Sequence, residues 1–164
     1  MSPLEAGTAT LCARCSAVNH HRCKASLLRL FEYWDTKRGE RRFPSRADID
    51  PLDFHDLLPN IFLIDVFEGE PYFRFRLSGS NVDEIHGEYL TGKSPQDIKT
   101  AEVSELIESH FRDVLVDRRP RCDHVFLLAR DQTYWHFERL ILPLSNDGTK
   151  INMLLCGIYQ TNGT

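Results

Sequence analysis

Apolar and polar residues change period along this chain, and each change marks an element. From Ile61 to Phe67 the run is almost continuously apolar, which suits a strand covered on both faces. Glu68-Gly69-Glu70-Pro71 breaks it with turn formers. Tyr72 to Leu77 then alternates strictly, with Phe73, Phe75 and Leu77 on one face and Arg74, Arg76 and Ser78 on the other. That is the period of a half-buried strand with its aromatic face inward. Asn81 is placed to cap a short helix, and Gly87 and Gly92 are where that path would stop and turn.

Two longer stretches carry helical spacing. From Lys24 to Arg38, Leu27, Leu30, Phe31 and Trp34 form one stripe, and Gly39 is the stop. The stripe needs a partner, either the body of its own chain or a second copy. From Ala101 to Arg118, Val103, Leu106, Ile107, His110, Phe111, Val114 and Leu115 form one apolar face, and Pro120 prevents continuation. Between these helices, Arg41 to Pro59 reads as a packed connector, in which Asp50-Pro51 opens a short helix to Leu58. Three more strands are expected over Arg121–Ala129, Tyr134–Leu142 and Ile151–Tyr159. Arg130-Asp131-Gln132 turns the first pair, and Asn146-Asp147-Gly148 is the hairpin signal of the second. Strand, strand, short helices, long helix and three strands add up to an α+β fold. It has a five-stranded antiparallel sheet with helices on one face, plus an N-terminal flanking helix.

Composition narrows the classes. A chain of 164 residues suits one main domain, read as a flexible tail over 1–23, a helix and connector over 24–59, and a core over 60–160. The net charge of −4 gives no general pull toward nucleic acid or anionic membrane. No apolar run approaches the ~20 residues of a membrane span. The five cysteines are an odd number, three of them crowded near the start, and the N-terminus lacks a secretory pattern, so a reducing cytoplasm is expected. Cys12, Cys15, His20 or His21, and Cys23 have zinc-ligand chemistry, but the last interval is too short for a knuckle. They read first as incidental residues of a flexible tail, with zinc or redox duty as the alternative. His136 and Glu138 share a strand face near His124, a pairing that could hold metal, although alternation puts them on the solvated side. No nucleophile motif or phosphate-cradling glycine loop is found, so catalysis is not expected.

The element order resembles a PAS domain. The matching pieces are the aromatic second strand, Asn81, Ile85-His86-Gly87, and Leu90-Thr91-Gly92-Lys93. Residues from about Leu27 to Tyr159 further resemble a bacterial family of stand-alone, single-PAS proteins. The pieces in common are Tyr33-Trp34, Arg38-Gly39, Pro44-Ser45-Arg46, Asp48-Ile49-Asp50-Pro51, Leu57-Leu58-Pro59 and Leu142-Pro143-Leu144-Ser145 with Asp147-Gly148. The resemblance implies a pocket between the sheet and the long helix. Its walls would come from Phe73, Phe75, Leu77, His86, His110 and Phe111, with the inward faces of the last strands. The same aromatics could instead simply fill a core. His86 departs from the Phe that many members carry there. His110 stands where haem-binding members place an axial ligand, and equally reads as a core histidine. The absence of cysteine from Asn81 to Ile98 argues against covalent flavin photochemistry.

The implied role is a non-catalytic sensory or regulatory domain that binds a small ligand, a protein partner or both. Since no kinase, cyclase or DNA-binding segment is recognised, output is expected through an unidentified signalling protein or a homodimer. The interface residues would be Leu27, Leu30, Phe31 and Trp34. A ligand-free interaction scaffold is the alternative, and a metal- or haem-binding protein ranks below it.

Overall fold

A computed structural model describes residues 7–10, 24–99, 101–128 and 134–161. The Cys12, Cys15, His20, His21 and Cys23 grouping and the Arg130–Gln132 turn lie outside the described residues. The strands are β1 (Gly7–Thr10), β2 (Ile61–Val66), β3 (Phe73–Ser78), β4 (Arg121–Leu128), β5 (Tyr134–Leu144) and β6 (Met153–Gln160). They form one antiparallel sheet in the order β1-β4-β5-β6-β2-β3. The five strands expected from the sequence are all present. Gly7–Thr10, within the stretch read as a tail, add a short sixth strand along the β4 edge.

Helices α2 (Ser80–His86) and α3 (Ala101–Asp117) cover the inner face of this sheet. Val103, Ile107, Phe111 and Val114 of α3 are buried, as their spacing requires, and the Phe111 ring lies 5.3 Å from that of Phe73. The helix ends at Arg118, which takes the left-handed conformation at φ 56°.

Helix α1 (Ala25–Arg38) covers the outer face. Leu27, Leu30 and Trp34 are buried against this chain's own strands. Gly157 explains the close fit: a Cβ there would sit 2.8 Å from Leu27 Cδ2 and 3.3 Å from Leu30 Cδ2. Trp34 Nε1 donates to the carbonyl of Pro143 at 2.9 Å. Pro143 is tolerated because β5 runs past β4 there, whose pairing stops at Arg121 opposite Ile141. The dimer interface proposed for Leu27, Leu30, Phe31 and Trp34 is corrected accordingly. Three of the four are core, and Phe31 is half-buried and stacked on Trp34 at 6.0 Å.

Two local expectations also shift. Asn81 does not cap α2; the cap position is Gly79, whose N–H bonds Ile61 O at 2.8 Å. Only glycine fits there, since a Cβ would lie 2.3 Å from Leu58 O. Asn81 lies inside the helix and donates to Asn60 Oδ1 at 2.9 Å. The connector is not one helix: two short 3-10 stretches meet at a kink at Phe54 (φ −140°, ψ 38°), and the second continues through Pro59 to Asn60. Its Asp50 cap is as expected, with the side chain accepting from the Leu52 N–H at 3.0 Å.

Candidate functional site

A cavity opens between the inner face of the sheet and helices α2 and α3. The sheet contributes Phe62, Phe75, Val125, Phe137, Arg139 and Ile158. The helices contribute Ile85, His86, Val103, Leu106 and Ile107. Ile85, His86 and Leu106 are partly exposed and form the mouth. The enclosed volume is about 20 Å³, room for one or two water-sized groups. Neither a porphyrin nor a flavin ring system fits that space without rearranging its walls.

Of the residues expected to bind ligand, Phe75 and His86 line the cavity. Phe73 and Phe111 pack against each other as core behind it. Leu77 is 46% exposed, which overturns its assignment as a wall. The cause is a bulge: Leu63 pairs with Leu77 while Ile64 pairs with Phe75, leaving Arg76 as the extra residue. The slip carries Leu77 to the outer face, opposite Phe73 and Phe75. The β3 backbone compensates by bonding the loop beside it, Phe75 N–H to Lys93 O at 2.8 Å and Gly92 N–H to Phe75 O at 2.7 Å.

His110 is buried but is not part of the cavity wall. Its Nδ1 takes a hydrogen bond from the Arg139 guanidinium. Arginine can only donate, so Nδ1 is the acceptor and the ring proton sits on Nε2. Burial, reinforced by the Arg139 charge, pushes the His110 pKa down to about 4 against the opposing pull of Asp123. The 3.4 Å approach of Asp123 Oδ2 to Nδ1 is therefore not an ion pair with a neutral ring. With the proton on Nε2 and the ring outside the cavity lining, His110 is not arranged as a haem ligand.

Sequence reasoning missed the charged centre of this site. Arg139 is 3% exposed, and Asp123, its cross-strand partner, is fully buried. Arg121 Nε donates to both oxygens of Asp123 at 2.8 Å, and Arg121 reaches Asp113 at 2.7 Å on the surface side. Arg139 is held more loosely by the same carboxylate, at 3.5 Å. Its Nε has no hydrogen-bond partner among the described residues. Burial lowers the Arg139 pKa, opposed chiefly by the Asp123 charge. His86, at the cavity mouth, is likewise pushed down to about 4, first by burial and then by the Arg139 charge. The signal was in the alternation along each strand. Arg139 shares its strand face with Phe137 and Ile141, and Asp123 shares its face with Val125, so each is a charge on an apolar stripe.

Glu138, the neighbour of Arg139, points to the opposite face. It was expected on a solvated side but is 2% exposed, because α1 covers it. Its Oε1 accepts the backbone N–H of Lys24, the residue that precedes α1, at 2.8 Å. A carboxylate there also meets the positive end of the helix dipole. Among the described residues, no group of three or more His, Cys, Asp or Glu side chains is arranged to hold a metal ion. No described helix is long and apolar enough to cross a membrane.

Known proteins share this architecture. The sequence profile of a family described as PAS domain matches residues 22–160. No curated protein matches the sequence. The PAS domain of Bordetella pertussis BvgS is similar in structure, with a TM-score of 0.51 at 20% identity over 70% of this chain and 89% of that one. A light-oxygen-voltage domain studied with a flavin analogue gives a TM-score of 0.51 at 11% identity over 68% of this chain and 83% of that one. The Vibrio cholerae VqmA dimer, a LuxR-type receptor, gives 0.50 at 11% identity over 68% of this chain and 50% of that one. At these identities the likeness is one of fold. The profile match over most of the chain, on a five-stranded core sheet whose inner face is closed by α2 and α3, makes this chain a member of the PAS domain family.

Proposed function

We propose that this chain is a non-catalytic sensory or regulatory module of the cytoplasm. A small ligand enters the cavity between the sheet and α2/α3, and α1 reports its presence to a protein partner or a second copy. The observation that carries this reading is the pair Glu138 and Arg139. They are consecutive on β5: one side chain reaches the cavity, and the other holds the start of α1 through the Lys24 N–H. A ligand that draws Arg139 toward itself acts on the same strand segment that anchors the helix. It shifts the helix only by as much as it binds one arrangement better than the other. Because the apolar stripe of α1 is buried, a partner must read its exposed side or its displacement from the sheet.

The scaffold reading draws on the small cavity volume, about 20 Å³. Native mass spectrometry of the freshly purified full chain separates the two. A retained small molecule is the expected result. An empty chain that no small molecule stabilises, co-purifying with a stable protein partner, makes it a scaffold.

A further inference from the structure

We propose that the ligand class is a short-chain monocarboxylate, its carboxylate held by Arg139 and its short apolar tail lying among Phe62, Phe75 and Phe137. This rests on the reading of the cavity as a ligand site and adds the chemistry that the site selects.

Arg139 has one more donor than its surroundings accept. A guanidinium is always charged and carries five N–H donors. Burying one is costly unless its donors are met. Arg139 is almost wholly buried, yet its Nε–H has no acceptor among the described residues. Asp123 does not fully compensate it. Both oxygens of that carboxylate are engaged at 2.8 Å by Arg121, and Arg139 approaches one of them only to 3.5 Å. Arg121 also pairs with Asp113, so the charges are matched in number, and what is left over is the Arg139 Nε–H, deep in the site and without an acceptor among the described residues. The cavity beside Arg139 is otherwise apolar apart from His86, whose ring can donate a hydrogen bond at the mouth.

A carboxylate supplies what this arrangement lacks. One oxygen accepts from Arg139 Nε–H, the other faces His86, and the charge on the acceptor strengthens both bonds in a site where water screens little. The closed cavity holds one or two water-sized groups, so entry requires Ile85 and Leu106, partly exposed in the lining, to swing aside, and the aromatic walls then limit the tail to a few carbons. A dicarboxylate is disfavoured, since the walls offer its second charge no second cation.

Titration of the full chain with propionate, and with its neutral near-isostere propionamide, tests this by calorimetry and thermal shift. Propionate is expected to bind at least about tenfold more tightly, because a carboxylate accepts from a guanidinium more strongly than a neutral amide oxygen does. Arg139→Lys keeps the charge but removes the Nε–H, and is expected to lose most of that preference while the variant still folds. Equal binding of the two compounds, or an unchanged preference in Arg139→Lys, overturns the assignment. Should the lysine variant not fold, His86→Phe is expected to weaken propionate more than propionamide, and an equal effect on both counts against the proposal. If neutral apolar molecules bind and propionate does not, the ligand class is wrong while the sensory reading stands. If no small molecule binds at all, both fall.

Discussion

The two faces of the sheet solve different problems. On the outer face, α1 seats Leu27, Leu30 and Trp34 against Gly157 and Pro143, and the polar groups met there are satisfied: Trp34 Nε1 on Pro143 O, and Glu138 on the Lys24 N–H. On the inner face, α3 seats an equally apolar stripe, but a charged centre interrupts it. Arg139, Asp123 and His110 are packed together with one donor unmet beside a cavity. A face filled and satisfied throughout stabilises the fold. A face that leaves a buried donor unmet is the less stable arrangement, and the proposed carboxylate ligand would meet that donor.

The largest effect should come from breaking the inner charge set. Asp123→Ala leaves Arg139 buried without its counter-charge and is expected to cost about 3–5 kcal/mol in chemical denaturation. Adding Arg139→Met to that variant should restore part of the loss, because no uncompensated charge then remains. If the double variant is less stable than the single one, the inner polarity is structural after all. On the outer face, Leu30→Ala is expected to cost about 3 kcal/mol through lost burial and the cavity it leaves. A loss under about 1 kcal/mol would mean that α1 is only loosely docked.

Acid should affect mainly the inner face. The pKa values of His110 and His86 are held near 4 in the folded chain against an ordinary 6.5. The unfolded chain therefore binds more protons between those values, and stability rises with pH across that window and is lost as pH falls through it. His110→Gln keeps an acceptor for Arg139 but cannot titrate. Its loss of stability between pH 7 and pH 5 is expected to be about 1–2 kcal/mol smaller than that of the natural chain. Identical slopes would show that His110 is not held neutral. The smallest effect belongs to Glu138→Gln, which keeps an acceptor for the Lys24 N–H and gives up only the charge. Less than about 1 kcal/mol is expected, measured as a small rise in exchange at the start of α1.

The same comparison shows what was legible in the sequence. Periodicity located α1, α3, β3, β4 and β5, because burial of one face leaves its spacing in the residues, while β2 was read from an unbroken apolar run and β6 from the hairpin signal before it. Leu77 was misplaced because a bulge at Arg76 inserts a residue without any break in the apolar alternation. Glu138 was misplaced because the sequence does not say which elements lie over the second face of a sheet. Asn81 has good capping chemistry, but the space in front of Leu58 O admits only Gly79. Arg139 and Asp123 were readable as two charges on apolar stripes, but their meeting depends on cross-strand register, which spacing within one strand does not fix.

The most direct test of the link between the faces is hydrogen exchange on the full chain, comparing the natural protein with Arg139→Gln. Exchange at amides 24–30, on the far side of the sheet from the altered side chain, is expected to change along with that of β4 and α3. Changes confined to β4, β5 and α3, with the start of α1 exchanging as before, would contradict the claim that this strand carries the cavity's state to the helix.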